Sequence, residues 1–392
     1  MVELSIAPYS SAAEDQDTIL CFSHLRWDFV FQRPQHLLSK AARSNTVWYF
    51  EEPRFESNCK ARLETSVDDS GVRIATPILP EGLSAAGVAD AQRGLLQELL
   101  RTIPSERVIG WYYTPMALTF TDDVAFNVCV YDNMDELSAF NGAPAELVEM
   151  ERQLFERADV VFTGGRSLYE AKQARHSNIH LLPSSIDAAH FAAARTVKRA
   201  DPKDQAGIPH PRLGFFGVID ERLDIELLRE LAELRPDWQF VMVGPIAKID
   251  EATLPRLTNI HWLGRKSYAD LPHYLSGWDV GLMPFALNAS TRFISPTKTP
   301  EFLAAGLPVI SSPIADVVRP YGDLRLVEIA SDAESFAAKA EQLLSGRQAG
   351  WLKRVDAHLA LGSWDSTWRS MDALIQSAMF KGVLSRLAVA AE

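Results

Sequence analysis

The sequence predicts an α/β protein made of two successive Rossmann-like parallel-sheet units facing a cleft. Three observations predict it. Short apolar runs recur along the chain between longer amphipathic stretches, the pattern of strands buried on both faces by covering helices. The alternation pauses in the Ala-, Pro- and charge-rich segment 183–211 and then restarts. With 392 residues, the chain has length for two domains of ordinary size.

In chain order, residues 1–17 are polar and read as a loose tail. The strand candidates of the first unit are Thr18–Ser23, Thr46–Phe50, Gly71–Ala75, Arg107–Gly110, Phe126–Tyr131, Val160–Thr163 and Ile179–Leu182. Helical patterns fall at Arg33–Ala42 and Ala89–Arg101. In the second unit the strand candidates are Arg212–Phe216, Gln239–Val243, Ile260–Trp262, Val280–Met283, Pro308–Ser311 and Arg325–Ile329. Helices are expected over Asp224–Leu234, Ala269–Ser276, Thr299–Ala305 and Ala333–Leu344, with a last one from about Ser366 to Met379. Two such units open a cleft at the carboxyl ends of their strands, where open α/β sheets bind ligands.

Composition narrows the function. The chain is 47% hydrophobic and 23% charged, the balance of a globular protein. A net charge of −12 argues against nucleic-acid partners, which require a basic footprint. Residues 26–62 carry a local basic excess that would suit a membrane surface, but Glu51, Glu52 and Glu56 are interspersed and favour an ordinary solvated face. Cys21, Cys59 and Cys129 have neither paired nor metal-ligand spacing, as in a reducing compartment. The start lacks the features of a signal peptide, and no window is long and apolar enough to span a bilayer, so a cytoplasmic location is expected.

The densest chemical signal is Ser295-Pro-Thr-Lys-Thr-Pro-Glu-Phe-Leu-Ala-Ala-Gly-Leu-Pro-Val-Ile310. Ser295 or Thr299 can cap a helix, Pro300 fits its first turn, Gly306 ends it, and Pro308 leads into a strand. Lys298, with Thr297 beside it, then lies at the positive end of a helix, where phosphate is attracted. Glu301 shares that face and can accept hydrogen bonds from a diol such as ribose. The same pattern also describes a capped surface helix. Gly217, at the end of a strand, allows close approach of a phosphate, and Arg222 can neutralise a diphosphate or pair with Asp224 or Glu226. Gly264 and Arg265 follow another strand and can face a nucleobase.

In the first unit the loop after the first strand holds His24, Arg26, Asp28 and Arg33, suited to proton transfer and to holding a hydroxylated or anionic substrate. The strand ending at Tyr131 runs into Asp132-Asn-Met-Asp-Glu136, carboxylates placed for a general base or sugar binder. G-x-G-x-x-G and G-x-x-x-x-G-K-[ST] are absent, and so is any H-x-x-x-H or C-x-x-C pair. This counts against a dinucleotide oxidoreductase, a P-loop NTPase and a metal site.

Assembled, these segments resemble bacterial glycosyltransferases of the two-domain GT-B type, closest to family-1/4-like enzymes of exopolysaccharide and cell-wall polysaccharide synthesis. The carrying stretches are Trp27-Asp-x-x-x-Gln-Arg-Pro-Gln-His36, Tyr131-Asp-Asn-Met-Asp-Glu136, Ala158-Asp-Val-Val-Phe-Thr163, Leu182-Pro-x-x-Ile-Asp-x-x-x-Phe191, Phe215–Asp224 and Pro296-x-Lys-x-x-Glu-Phe-Leu-Ala-Ala-Gly-x-Pro308. The resemblance implies a donor-binding domain over 206–363 and an acceptor-binding domain over 1–205, with a last helix, 364–392, crossing back onto the latter. It implies a nucleotide-sugar donor, a UDP-sugar in the first instance, with Lys298 on the diphosphate and Glu301 on the ribose; Gly217, Arg222, Gly264, Arg265 and Thr297 are the further donor-site candidates read from the residues. A saccharide or lipid-linked acceptor would meet Arg26, Asp28 and Arg33, with a peripheral contact at the inner membrane face. No cofactor and no metal is expected. The base is ranked Asp135, then Asp132, then His24. Many members carry a second glutamate eight positions before Glu301, where this chain has Phe293. That departure instead resembles the xanthan-pathway glucuronosyltransferase and leaves inversion or retention open. A nucleotide-sugar 2-epimerase and a non-catalytic nucleotide-sugar-binding subunit share the same architecture.

Overall fold

The computed structural model describes residues 16–105, 107–196, 201–346 and 349–390, so nearly all of the expected N-terminal tail lies outside the described residues. The first sheet contains β1 (Thr18–Phe22), β2 (Thr46–Phe50), β3 (Arg54–Glu56), β4 (Arg62–Val67), β5 (Arg73–Pro80), β6 (Val108–Tyr112), β7 (Val128–Asn133), β8 (Val160–Thr163) and β9 (Ile179–Leu181). Their order is β3-β5-β2-β1-β6-β7-β8-β9, with β4 added antiparallel to β5 and the other pairs parallel. β1 lies between β2 and β6 and is buried at every residue, which is why it reads as an unbroken apolar run.

The second sheet contains β10 (Arg212–Phe216), β11 (Gln239–Val243), β12 (Ile260–Gly264), β13 (Val280–Met283), β14 (Val309–Ser311) and β15 (Glu328–Ile329). It is wholly parallel, in the order β12-β11-β10-β13-β14-β15. β10 passes through a turn into a covering helix, whereas β13 reaches the helix Lys298–Ala304 through the longer loop 284–297. After β10, Asp224 accepts from Leu227 N at 2.9 Å and starts the helix Ile225–Leu234. Trp278 packs flat on β10, where a Cβ on Gly214 would lie 2.0 Å from its ring.

The structure departs from the sequence-based expectations in identifiable ways. β3 and β4 escape the apolar-run criterion because they are mostly exposed edge strands carrying charge. The strand expected over Gly71–Ala75 is longer, because pairing with β3 and β4 carries β5 as far as Pro80. The boundary expected at 205 comes earlier. Ile186 and Phe191, the latter on helix Ala188–Thr196, already belong to the core of the second unit. A helix with a single buried residue has too weak a period to be seen in a segment rich in Ala and Pro.

The last helix, Trp364–Ala390, crosses back onto the first unit and extends at both ends beyond the stretch Ser366–Met379 read from periodicity, within the 364–392 that the resemblance implied. Trp368, Met371, Ile375 and Met379 complete the first core. At the crossing the Trp364 ring stacks on His36 at 4.4 Å, and Lys40 and Arg43 both reach Asp365. The basic excess near the N-terminus is largely paired: Arg26 with Glu51, Arg33 with Asp132, and Arg62 with Glu56 and Glu64. Such pairing leaves little free charge for an anionic membrane.

One of these pairs sets the first unit's core. Arg33, on helix Arg33–Ala41, is 2% exposed and grips fully buried Asp132 on β7 through Nε and Nη2, while Nη1 donates to Leu182 O at 2.9 Å. Breaking a buried pair leaves an uncompensated charge, which costs about 3–5 kcal/mol. Asp132→Leu should therefore lower the thermal midpoint sharply. The double variant Arg33→Met/Asp132→Leu should recover most of the loss in the same melting experiment.

Candidate active site

The second sheet builds one wall of the site from its strand ends. β10 ends at Phe216 and the chain turns through Gly217 with φ +135°, a value that favours glycine. The reason is packing as well as conformation. A Cβ on Gly217 would lie 2.1 Å from Cε and 2.5 Å from Nζ of Lys298, so the lysine side chain lies directly across this glycine. Gly244, after β11, has φ +152°, and a Cβ there would strike Gly217 O at 1.7 Å. Two glycines on adjacent strands thus make the seat in which Lys298 rests.

Lys298 opens the helix Lys298–Ala304. Neither expected cap is used. Thr297 occupies the cap position in helical geometry with no side-chain bond, and buried Thr299 instead reaches Met283 Sδ at 3.6 Å. The C-terminal signal holds: Gly306 has φ +77° and Leu307 N donates to Phe302 O at 3.0 Å, after which Pro308 leads into β14. Glu301 lies one turn after Lys298 and is 7% exposed. Burial pushes the Lys298 ammonium below its ordinary value, helped by the charge of Arg222, while Glu301, Asp220 and Asp135 oppose that shift. Burial pushes the Glu301 carboxyl up, and Lys298 opposes the shift.

Arg222 takes neither of its expected partners. Its guanidinium clasps Asp220, with Nη2–Oδ2 at 2.6 Å, and lies 5.3 Å from the Phe140 ring centroid. Asp135 faces it from the first unit. Burial raises the Asp135 carboxyl, Asp220 adds to the shift, and Arg222, Lys298 and Lys248 pull it back. A tight recess of about 100 Å³ joins Asp135 to Arg222, Thr297 and Lys298. Beside it a larger cleft of about 540 Å³ brings together His24, Arg26, Asp135, Phe140, Arg222 and Lys248. His24 Nδ1 is buried without a hydrogen-bond partner, and burial plus the charge of Lys248 lowers the imidazole to about 4, so the ring is neutral at physiological pH.

The other expected residues are differently engaged. Asp132 is held by Arg33 inside the core, which removes it from base chemistry, while Arg33 lines the recess with its donors committed to Asp132 and Leu182 O. Arg26 lines the cleft, but its donors go to Glu51, Glu52 O and Pro53 O. Arg265 donates to Asp28 O and lies 5.8 Å from the Phe29 ring, so both Arg265 and Asp28 join the two units instead of facing the recess. Gly264, with φ +68°, is exposed at the end of β12. Phe293 lies beneath the guanidinium of Arg292 at 5.0 Å. Among the described residues, no group of three or more His, Cys, Asp or Glu side chains is arranged to hold a metal ion.

Sequence reasoning missed Phe140 and Lys248. Phe140 comes from the first unit and collects two cations of the second, Arg222 and Lys248, the latter at 5.0 Å. No periodicity or spacing marks either residue. The Val243-Gly-Pro turn was the available signal for the loop that carries Lys248.

Comparison with known proteins finds likenesses in sequence and in fold. Residues 210–346 match the family described as "Glycosyl transferases group 1". "Putative teichuronic acid biosynthesis glycosyltransferase TuaH" of Bacillus subtilis (strain 168) is 29% identical over 236 residues, covering 56% of this chain and 59% of that protein. The match thus spans little more than half of that relative's length. Sucrose-phosphate synthase from Thermosynechococcus elongatus superposes with a TM-score of 0.66 at 15% identity, over 96% of this chain and 100% of that one. Anabaena Alr3699/HepE, solved in complex with UDP, gives 0.61 at 12% identity, over 92% and 100%. The structural likenesses show a shared fold, that of the GT-B glycosyltransferases.

The Gly217 seat has a direct test. Gly217→Ala must expel the Lys298 side chain and adopt a strained backbone. Binding of inorganic pyrophosphate, measured by calorimetry, should weaken by about tenfold or more, the loss typical of removing a charge-assisted bond. The far-ultraviolet circular dichroism should be unchanged.

Proposed function

We propose that this chain, whose second unit carries the group 1 glycosyl transferase domain, is a glycosyltransferase that uses a nucleoside-diphosphate sugar. The donor in this reading is a UDP-sugar and the acceptor a saccharide or lipid-linked saccharide of surface polysaccharide synthesis. The observation that carries it is Lys298 lying across Gly217 at a strand end, with Glu301 one turn behind and Asp135 facing them from the other unit. A UDP complex of one structural neighbour and the teichuronic acid name of the sequence relative support the choice of donor and pathway class.

In this reading the diphosphate lies against Lys298 and Arg222. Lys298 is preorganised by the glycine seat, so it meets the charge that develops on the leaving group without a reorganisation cost. Glu301 accepts from the ribose diol. Asp135 stands where the acceptor hydroxyl enters, and its raised affinity for a proton suits a general base. His24, neutral and with its buried Nδ1 unpartnered, can orient a hydroxyl in the cleft. The cations of the chain itself supply the electrostatic stabilisation, so the proposal invokes no metal. Closure of the two units over the cleft excludes water and aligns donor with acceptor.

Removing the ammonium should be the most damaging single change. Lys298→Ala is expected to reduce kcat by about 10²-fold or more. Near-normal turnover of a UDP-sugar by that variant would refute the assignment. Incubating donor alone separates the alternative chemistry, because a 2-epimerase would rearrange the sugar.

The pH profile follows from the two buried charges. Donor binding needs Glu301 ionised and Lys298 protonated. The raised carboxyl moves the acid limb up towards neutrality, and the lowered ammonium moves the alkaline limb down. A narrow bell centred near neutral pH is expected for kcat/KM. Glu301→Gln should flatten the acid limb while lowering the maximum, and an unchanged acid limb would count against the role of Glu301.

A further inference from the structure

Phe140 is a half-buried aromatic residue whose place the packing of the cores does not explain. Among the described residues it joins none of the three hydrophobic clusters. It lies on the loop 134–146, which leaves β7 after Asn133, passes through the short turn Leu137–Ala139 and enters the helix Leu147–Arg157. The loop belongs to the first unit, yet it is fastened to the second. The Phe140 ring centroid lies 5.3 Å from Cζ of Arg222 and 5.0 Å from Nζ of Lys248. The next residue, Asn141, donates its backbone N–H to Glu221 Oε1 at 3.2 Å. Two neighbouring residues of one unit thus grip the turn Asp220–Arg222 of the other.

The guanidinium of Arg222 is held from two directions. Asp220, 4% exposed, accepts from its Nε and Nη2 edge at 2.6 to 3.1 Å. Phe140 lies against its Cζ at a cation–π distance. Nη1 is left without a hydrogen bond among the described residues, so its donors stay free where Arg222 lines the recess. Asp220 belongs to the same turn as Arg222 and holds it whatever the other unit does. Phe140 holds it only while the two units are together. Asp135 rides on the same loop as Phe140, and its backbone O accepts from Asn133 Nδ2 at 3.0 Å.

We infer that Phe140 is a positioning residue that fixes the Arg222 guanidinium for the donor diphosphate from across the cleft. Completion of the phosphate site is thereby tied to placement of the loop that carries Asp135. The ligand in this role is the donor of the glycosyltransferase reading, on which the inference rests. A guanidinium already held meets an anion without losing rotamer freedom, so removing the ring costs affinity while the charge stays in place.

The test measures UDP binding by calorimetry. Phe140→Leu should weaken it by about fivefold, the worth of one cation–π contact. Phe140→Tyr keeps the ring and should recover most of the loss. The leucine penalty should vanish in an Arg222→Gln background and persist in a Lys248→Gln background. A second readout needs no ligand. The Arg222 Nε–H resonance, identified by its loss in Arg222→Gln, should carry a ring-current shift in the unaltered protein and in Phe140→Tyr, and lose it in Phe140→Leu. Unchanged UDP binding by Phe140→Leu, an equal penalty with and without Arg222, or a penalty that disappears with Lys248 would each overturn the proposal. So would a tyrosine variant no better than leucine, or an Nε–H signal that Phe140→Leu does not move. If the unaltered protein binds neither UDP nor another nucleoside diphosphate, the donor reading falls instead, and the resonance still decides whether Phe140 fixes Arg222.

Discussion

The site depends on one close approach, the Lys298 side chain lying on the bare backbone of Gly217. Everything that locates the lysine is arranged around that contact. Gly244 clears the space behind Gly217, β10 and β11 hold the two glycines in register, and the helix Lys298–Ala304 is anchored by wholly buried Phe302 and Leu303. A flexible cation would lose rotamer freedom on meeting a diphosphate. In the proposed donor complex that cost falls on folding, because the buried ammonium is already held in place.

Charge is distributed differently in the two units. In the first, most cations near the sheet end are matched by acids: Arg33 holds Asp132, Arg26 holds Glu51, and Lys172 bridges Glu136 and Glu151. These pairs fix the loops at the first unit's side of the cleft. In the second, Arg222 is oriented by Asp220 while it still faces the recess, and Lys298 forms no ion pair with a carboxylate among the described residues. The proposed division of labour follows from this contrast. One unit presents shape and a carboxylate, the other presents positive charge.

The cleft is held by a small set of contacts between the units. Phe31 stacks on Tyr268 at 4.5 Å, and Arg319 pairs with Glu170. Asp316 caps the first unit's helix Arg166–Lys172 by accepting from Ser167 N at 2.9 Å, and Gly165 leaves room for it, since a Cβ there would fall 2.4 Å from Asp316 Oδ2. Asn141 N donates to Glu221 at 3.2 Å next to Phe140. Most are polar or surface-lying, the type of interface that permits relative domain motion. Closure on a donor and acceptor is therefore compatible with the packing, which is concentrated within each unit and along the crossing helix Trp364–Ala390.

By itself, the sequence determined the two sheets, most of their strands, the crossing helix and the Lys298–Glu301 helix with its Gly306 stop. Strands buried on both faces write themselves as apolar runs, and helix ends require particular residue types. It could not separate Asp135 from Asp132, three positions apart, because only the fold shows that Asp132 meets Arg33 from a helix ninety-nine residues earlier. Nor could it show Arg222 clasping Asp220, Arg265 joining the units, or Phe140 lying between two cations. Those outcomes depend on long-range approach and on burial, which set which charges are spent and which remain free. Local pattern fixes the elements, whereas the desolvation and pairing that make a residue chemically useful exist only once the elements are packed.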